Sequence, residues 1–187
     1  MEKFKWRLSE SEIVFIRKAI RNKLRGKYLL DFENKLAKKF KSNFSIAVNS
    51  GTSALHCALY ALGVKKGDEV IVPPLTFSAT AFVVILLGAK PVFADVDLET
   101  FNICPKSIEE KITKKTKAII TVSIFGLIPN MREILKIKKK YKLGLLEDNA
   151  ETILHTMFDI IEATPNNMEL GKRVRNMYHD LVTMSEE

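Results

Sequence analysis

Between residues 45 and 148, short apolar runs rich in β-branched residues alternate with longer segments of helical periodicity. The apolar runs are SIAVNS, DEVIVP, PVFADV, KAIITVS and KLGLLED, and a predicted helix follows each of the first four. Regular alternation of this length predicts an α/β fold, with a mostly parallel sheet flanked by helices on both faces. Because right-handed crossovers place all strand-to-helix loops along one edge, we expect a ligand to bind at the carboxyl ends of the strands.

The segments on either side of this region have a different character. Residues 9–40 have apolar side chains at helical spacing with lysines opposite, which predicts two amphipathic helices. After Asp148 glycine occurs only once, at Gly171, and no β-branched run resembles a strand, so this end is predicted to be helical. We therefore divide the chain into N-terminal helices (1–44), an α/β domain (45–151) and a helical tail (152–187).

The net charge of +8 raises the question of nucleic acid binding. The excess lies in short lysine clusters on predicted polar helix faces or turns, and no aromatic residues are interleaved with them to stack on bases. We interpret these clusters as solvated surface and expect no nucleic acid partner, while contact with an anionic ligand stays open as an alternative. The clusters lie at residues 38–41, 114–117 and 138–140.

Targeting and metal-binding signals are both missing from the sequence. The start, MEKFKWRLSE, lacks the apolar core of a secretory signal, and the longest mostly apolar run, residues 79–89, is too short to cross a bilayer. Cys57 and Cys104 lack metal-type spacing, so both are expected to be free, buried or partly buried thiols. These observations predict a cytoplasmic protein with no membrane partner and no metal site.

A candidate phosphate site lies in NSGTSALHCAL, where a predicted strand gives way to a helix. Gly51 allows a tight turn, and the free amides of the helix start, with the hydroxyls of Thr52 and Ser53, suit a phosphate. The alternative is that Thr52 or Ser53 only caps the helix, and the segment alone does not decide between the two. The GxxxxGK[ST] spacing of a Walker loop is absent.

Two further segments end at the same predicted edge. In PPLTFSATA, Thr76 is expected to cap a helix whose first turn carries Phe77; that ring would stack on a flat ligand or staple the helix to the core, and alone the core role is favoured. In LLEDNAE, Glu147 and Asp148 end an apolar strand, where a carboxylate either holds a protonated ring nitrogen or caps the next helix. Phosphate donors, an aromatic face and a ring-nitrogen carboxylate together suit pyridoxal phosphate (PLP), whose protonated ring withdraws electrons from a substrate carbanion.

Longer motifs carry a resemblance to a known family. They are FENKLAKKF, AVNSGTSALHCALYALGVKKGDEVIVPPLTFSATAFVVILLGAKPVFADVDLETFNICP, TKAIITVSIFG and LEDNAE. With these motifs the chain resembles, from about residue 8 to residue 151, the DegT/DnrJ/StrS family of nucleotide-sugar aminotransferases, which have the fold-type I aspartate aminotransferase fold. The resemblance implies an incomplete large domain of such an enzyme, PLP as cofactor, a nucleotide sugar and an amino acid donor as substrates, and a homodimer.

The resemblance also implies a role for each candidate residue. The residues at the helix start would bind the cofactor phosphate, and Phe77 would stack on the pyridine ring. Asp148 would pair with the ring nitrogen, and Glu151 falls where the family commonly has Gln, Glu or His near the cofactor hydroxyl. The implied cofactor-binding residues are Gly51, Thr52, Ser53, Phe77, Asp148 and Glu151.

The family's Schiff-base lysine is the expected group that has no matching segment. In the family it follows the ring-nitrogen acid within a Ser-Phe-x-x-x-Lys-like segment and a glycine-rich continuation, and this sequence has neither. Lys172 is the only lysine after Asp148, and its context, NNMELGKRVRNMY, is helix-like, so it is a weak candidate. A dehydratase branch of the family has histidine instead of lysine, but His155 and His179 lack the motif and are interpreted as solvated or packing residues.

The chain is therefore interpreted as a PLP-dependent sugar aminotransferase-like protein that is truncated before the Schiff-base lysine and inactive alone. The alternative is a non-catalytic interaction or regulatory partner that dimerises with a full-length relative. In either case the tail after Glu151 is expected to cover the sheet edge where the strands of a complete family domain would pair.

Overall fold

A computed structural model describes residues 10–21 and 26–150, and the chain divides into two compact units, Met1–Asn49 and Ser50–Glu187. In the first unit α1 spans Glu10–Arg21 and α2 spans Lys27–Lys39, so both predicted helices are present. The predicted helical tail, and with it the covering of the sheet edge, lies outside the described residues.

The second unit contains the sheet. Its elements are α3 (Gly51–Ala61), β1 (Glu69–Val72), α4 (Ala79–Leu86), β2 (Lys90–Phe93), α5 (Pro105–Lys111), β3 (Thr116–Val122), α6 (Met131–Tyr141) and β4 (Gly144–Asp148). The strand order is β2-β1-β3-β4, and every neighbouring pair is parallel. The predicted parallel sheet with flanking helices is thereby confirmed.

The strand order contains a topological switch point. The connection from β1 through α4 leads to β2 on one side, whereas the connection from β2 through α5 returns past β1 to β3 on the other side. Right-handed crossovers in opposite directions put their helices on opposite faces of the sheet. The crevice at the carboxyl ends of β1 and β3 is therefore the position where open α/β sheets bind ligands.

Alternate residues of the central strands face two separate cores, as the period of a β-strand requires. Val70 and Ile120 pack with buried residues of α3 and α4, whereas Ile71 and Ile119 pack with buried residues of α5 and α6. All four of these side chains are fully buried. The sheet is thus the middle layer between an α3–α4 layer and an α5–α6 layer.

The first predicted strand, SIAVNS (residues 45–50), is wrong, because these residues form no strand and belong to no sheet in the described structure. The amide of Ala47 donates to Glu33 Oε1 at 2.8 Å, and the side chain of Ile46 is 80% exposed. An extended segment becomes a strand only when a neighbouring strand satisfies its backbone groups. No such neighbour lies beside it among the described residues, and the sheet-containing unit accordingly starts at Ser50.

Cys57 is exposed, so the prediction that it is at least partly buried is wrong; Cys104 is half-buried, and both are free. Cys57 lies on the side of α3 opposite the buried Leu55 and Leu59, which face the sheet.

In the described part of the chain no group of His, Cys, Asp and Glu could hold a metal ion. Nor is any described helix long and apolar enough to cross a membrane.

Candidate functional site

The start of α3 leaves backbone amides free at the carboxyl edge of the sheet. Ser50 is the N-cap: its backbone is extended, with φ −161° and ψ 159°, and its Oγ accepts from the amide of Ser53 at 3.1 Å. Among the described residues the amides of Gly51 and Thr52 have no acceptor. A Cβ added at Gly51 would meet nothing within 4 Å, so the space beside Gly51 itself is open. Free amides at a helix start suit an anion.

This arrangement corrects two predictions about the same segment. The cap is Ser50, and not Thr52 or Ser53, because the helix already begins at Gly51. Gly51 has no left-handed φ, so it makes no tight turn of the kind predicted. The hydroxyl of Ser53 lies 2.9 Å from that of Ser50, and Thr52 is half-buried beside it. The residues suited to a phosphate therefore lie within the first turn of α3.

Phe77 lies in the loop that joins β1 to α4, and its ring is 78% exposed. The core role that its sequence context favoured is therefore wrong. Thr76 does not cap α4 either: the N-cap is Ser78, and the hydroxyl of Thr76 lies 3.0 Å from that of Thr80. The loop instead forms a turn in which the amide of Thr80 donates to the Phe77 carbonyl at 3.1 Å. An exposed aromatic ring on an otherwise ordered loop is free to stack on a flat ligand.

Asp148 ends β4 as predicted, and its side chain is half-buried, whereas that of Glu147 is exposed. One carboxylate oxygen of Asp148 accepts from the amide of Ala150 at 3.2 Å. This is the local bond that a capping aspartate makes. One oxygen of Asp148 therefore has the capping role that the sequence left open as an alternative. The second oxygen has no protein partner among the described residues, and it remains able to accept from a ligand.

Sequence reasoning missed Ser123, which follows β3 directly and is 2% exposed. Its hydroxyl donates to Asn149 Oδ1 at 2.6 Å, and its amide donates to the Asp148 carbonyl at 3.0 Å. These two bonds join the ends of β3 and β4 at the candidate acid and at the residue directly after it. The signal in the sequence was a serine directly after an apolar strand, at the end where polar residues face a ligand or a neighbouring loop.

Two aromatic residues with left-handed backbone lie in loops after β2 and β3. Phe101 has φ 57° and Phe125 has φ 53°, and their rings meet edge to face with centroids 6.4 Å apart. Asn102 joins the same loops, because its Nδ2 donates to the Leu127 carbonyl at 3.1 Å. Such backbone strain persists only where the surrounding contacts enforce it, so these two loops are held in one conformation.

The turn before Phe101 is fixed by a carboxylate. Asp97 Oδ1 accepts from the amides of Thr100 and Glu99, at 2.9 and 3.0 Å, and from the Thr100 hydroxyl at 3.1 Å. These bonds, led by that from the Thr100 amide, lower the pKa of Asp97 from its ordinary value. The charged form of Asp97 thereby stabilises the loop that follows β2.

The candidate groups reach one edge of the sheet. Phe77 follows the carboxyl end of β1, and Asp148 is at the carboxyl end of β4. Because α3 packs on the sheet and its carboxyl end leads into the start of β1, its amino end points toward the same edge. The start of α3, Phe77 and Asp148 therefore lie along the same sheet edge as the crevice at the switch point. Glu151, Lys172, His155 and His179 lie outside the described residues.

The family model of the DegT/DnrJ/EryC1/StrS aminotransferases matches residues 8–160. Among curated proteins, GDP-perosamine synthase from Escherichia coli O157:H7 is 44% identical over 127 residues, which are 68% of this chain and 35% of that protein. The chain thus spans about a third of the length of the curated relatives that it matches.

Solved structures agree with this match. An aminotransferase from Psychrobacter cryohalolentis superposes with a TM-score of 0.73 and 37% identity, covering 77% of this chain and 38% of that one. The E. coli GDP-4-keto-6-deoxy-D-mannose-3-dehydratase with bound hydrated PLP has a TM-score of 0.69 and 35% identity, covering 76% of this chain and 39% of that one. At these identities the similarity extends beyond a shared fold.

Proposed function

The chain belongs to the DegT/DnrJ/EryC1/StrS aminotransferase family, and on that premise we propose that its α/β unit provides three contacts of a PLP site. These are the phosphate contact, the cover of one ring face and the partner of the ring nitrogen. The observation that carries the proposal is the convergence of the α3 start, Phe77 and Asp148 on the carboxyl edge of one parallel sheet. The reaction we propose for the family-length protein is amino transfer from an amino acid to a keto sugar nucleotide, supported by relatives such as GDP-perosamine synthase.

The residues present fit the phosphate of PLP. The free amides of Gly51 and Thr52 would donate to its oxygens, and the hydroxyls of Thr52 and Ser53 would add donors beside them. The positive end of the α3 dipole favours a dianion at this place. These groups would hold the cofactor by its phosphate and leave its ring over the crevice.

The ring contacts would come from the loops after β1 and β4. Phe77 would cover one face of the ring and exclude water from it, which accounts for an aromatic side chain left exposed in the structure. The oxygen of Asp148 without a protein partner would hold the proton on the ring nitrogen, and Ser123 and Asn149 would fix the strand end that carries it. Bound PLP supplies an electron sink for carbanion chemistry. Glu151 is proposed to lie near the cofactor hydroxyl.

The proposal is tested by titrating the purified chain with PLP and following the binding by absorbance and fluorescence quenching. Asp148→Asn removes the charge that retains the ring-nitrogen proton, and we expect it to weaken PLP binding about tenfold or more. Glu147→Gln is the matched control, because Glu147 is the neighbouring exposed carboxylate, and it should leave the affinity unchanged. Absence of PLP binding by the unaltered chain, or equal effects of both variants, would contradict the proposal.

A second measurement concerns the covalent link. We propose that the chain alone binds PLP without catalysing amino transfer, because Lys172 lacks the family's lysine motif. Borohydride reduction of the PLP-loaded chain, followed by peptide mass analysis, should find no modified lysine. A stable adduct on Lys172 would overturn the inactive assignment while leaving the cofactor site intact.

A further inference from the structure

The net charge of +8 is unevenly distributed between the two edges of the sheet. The loops that follow β1, β2 and β3 lie at the carboxyl edge and contain three acidic residues but no lysine or arginine. These loops span residues 73–78, 94–104 and 123–130. The turns that precede the same strands lie at the amino edge, and with the first residues of the strands they contain six lysines and two acidic residues. We call the six the amino-edge lysines: Lys65, Lys66, Lys90, Lys114, Lys115 and Lys117.

The three turns at the amino edge form one continuous surface. The amide of Lys90 donates to the Asp68 carbonyl at 2.9 Å, which joins the turn before β2 to the turn before β1. The amide of Glu69 donates to the Lys115 carbonyl at 2.9 Å, which joins the turn before β3 to the same place. All six amino-edge lysines are exposed. The amino edge therefore presents a row of lysines along the starts of three adjacent strands.

The two acidic residues of this surface are occupied by local contacts. Asp68 Oδ2 accepts from the amide of Lys65 at 3.0 Å. Glu69 accepts from the hydroxyl of Thr113, and it lies 3.9 Å from Lys90 Nζ, at the limit of an ion pair. Within residues 10–21 and 26–150, the other five amino-edge lysines make no ion pair. Their positive charge is therefore available to an external anion.

Helix dipoles do not account for a row of this length. The helices α3, α4 and α5 end at the amino edge, and a cation within the last turn of a helix is stabilised by the dipole. That effect falls off within one turn. Lys66, Lys90 and Lys115 lie four or five residues beyond the last residue of the preceding helix, so a different explanation is needed for them.

We propose that the amino edge of the sheet binds a linear chain of phosphate groups, of the inorganic polyphosphate class. Lysine binds a phosphate as a point charge, without the bidentate geometry of arginine, and these turns contain no arginine. Neighbouring strands lie about 4.8 Å apart, so lysines at three strand starts are spread along a line. Such a line suits an extended polyanion better than a single phosphate.

Other polyanions fit this surface less well. The turns contain no aromatic side chain that could stack on a base, which disfavours a single-stranded nucleic acid. A membrane surface is bound through apolar side chains that insert beside the basic ones, but Val64 and Ala89, in these turns, are buried. A chain of phosphates without bases or lipid tails requires neither feature.

This surface is separate from the candidate cofactor site. The two sites lie at opposite ends of the strands, and β3, with seven residues, is about 20 Å long. Both ligands can therefore be bound at once. The proposal consequently holds whether or not the chain binds PLP.

Isothermal calorimetry of the full chain with short-chain sodium polyphosphate tests the proposal. The unaltered chain should bind it, with an affinity that falls steeply with added salt because bound phosphates release their counterions. Lys66→Gln combined with Lys115→Gln should weaken binding about tenfold or more and lower the salt slope by about two, with an unchanged circular dichroism spectrum. The matched control is Lys106→Gln combined with Arg132→Gln, which removes two exposed charges from the first turns of α5 and α6, at the carboxyl edge. That variant should bind nearly as tightly as the unaltered chain.

Three further comparisons identify the place and the class of ligand. Thr52→Val alters the candidate phosphate site at the start of α3 and should leave polyphosphate binding unchanged; a loss in this variant would assign the binding to that site and overturn the proposal. A thymidine oligonucleotide and phosphatidylglycerol vesicles should bind more weakly per phosphate than polyphosphate, and tighter binding of either would overturn the assignment of class. Absence of polyphosphate binding at low salt, or equal losses in the two double variants, would also overturn the proposal.

Discussion

The two helix layers on the sheet differ sharply on their outer sides. The α5–α6 layer is amphipathic: Lys140 Nζ lies 2.6 Å from Glu109 Oε1 across the two helices, and Lys136 pairs with Glu133 at 2.7 Å along α6. The α3–α4 layer has no charged residue in either helix. On their inner sides the two layers are alike, since each contributes a cluster of fully buried aliphatic side chains.

The two layers show that burial in the core and exposure to water are separate requirements on a helix. The inner sides of both layers satisfy the first requirement equally well. Only the α5–α6 layer satisfies the second, because its outer residues hydrogen-bond to water and to each other. The α3–α4 layer therefore leaves apolar side chains such as Phe82 and Ile85 exposed, whereas ion pairs cover part of the outer side of the α5–α6 layer.

Truncating one buried side chain in each layer tests whether the inner sides are equivalent. These truncations should change the free energy of unfolding more than the variants described below. Leu59→Ala in α3 and Ile134→Ala in α6 each truncate a fully buried side chain, and each should lower the free energy of unfolding by about 2–5 kcal/mol. Chemical denaturation of both variants measures this. Tyr60→Ala, next to Leu59 but 74% exposed, should change stability by less than about 0.5 kcal/mol.

A markedly smaller loss of unfolding free energy for Leu59→Ala than for Ile134→Ala would show that the two inner sides are not equivalent. It would mean that α3 packs more loosely on the sheet than α6 does. The outer side would then not be the only difference between the two layers.

A smaller change in stability is expected at the carboxyl edge of the sheet. There, strand alternation places Ser123 on the same side as Ile119, which faces the α5–α6 layer. Ser123→Ala removes the donor to Asn149 Oδ1 in a buried place. We expect a loss of about 1–3 kcal/mol in the free energy of unfolding, together with weaker PLP binding. Ser42→Ala removes an exposed serine bond, from Ser42 Oγ to the Phe44 carbonyl, and is the control; equal losses from both variants would contradict a special role for Ser123.

The smallest effect concerns the exposed pair between α5 and α6. The hydrogen bond from Lys140 lowers the pKa of Glu109, and the bond to Glu109 raises the pKa of Lys140. The Glu109 contribution is present above the ordinary carboxyl pKa and is lost as the pH falls through the lowered value. The Lys140 contribution is present below the ordinary lysine pKa and is lost as the pH rises through the raised value.

The pair should therefore stabilise the α5–α6 layer only between the acid and the alkaline limits. Thermal melts across pH should show a slightly smaller acid dependence for Glu109→Gln than for the unaltered chain, because surface pairs contribute little. An identical pH dependence for both proteins would show that the pair has no measurable influence.

Most of the fold could be predicted from the sequence, because each strand and helix from β1 to β4 has its own local pattern of apolar residues and its own terminating residues. Gly63 and Gly88, for example, follow α3 and α4 and have the left-handed φ that a glycine tolerates. The failure at residues 45–50 has a different origin. A run of β-forming residues specifies only the potential for a strand, whereas the neighbour that satisfies its backbone is a property of the whole sheet.

The position of Asp148 at the carboxyl end of β4 was predictable, because the apolar run before it marks a strand that ends there. It was less predictable at the helix starts, where Ser50, Thr52 and Ser53 all have the chemistry of a cap. The exposure of Phe77 and the bond of Ser123 to Asn149 depend on how loops meet in three dimensions. Neither a lone phenylalanine nor a lone serine carries that information in its neighbours along the chain.

The position of β3 has a consequence for backbone hydrogen exchange. It pairs with β1 on one side and β4 on the other, and all its residues except Lys117 are buried. Its amides, such as those of Ile119 and Ile120, should therefore exchange with solvent only when the whole unit opens. In the described structure β4 pairs on one side only, so it should exchange through smaller openings. The candidate site joins these two strands through Ser123 and Asp148, and a bound ligand should therefore slow exchange on β4 much more than on β3.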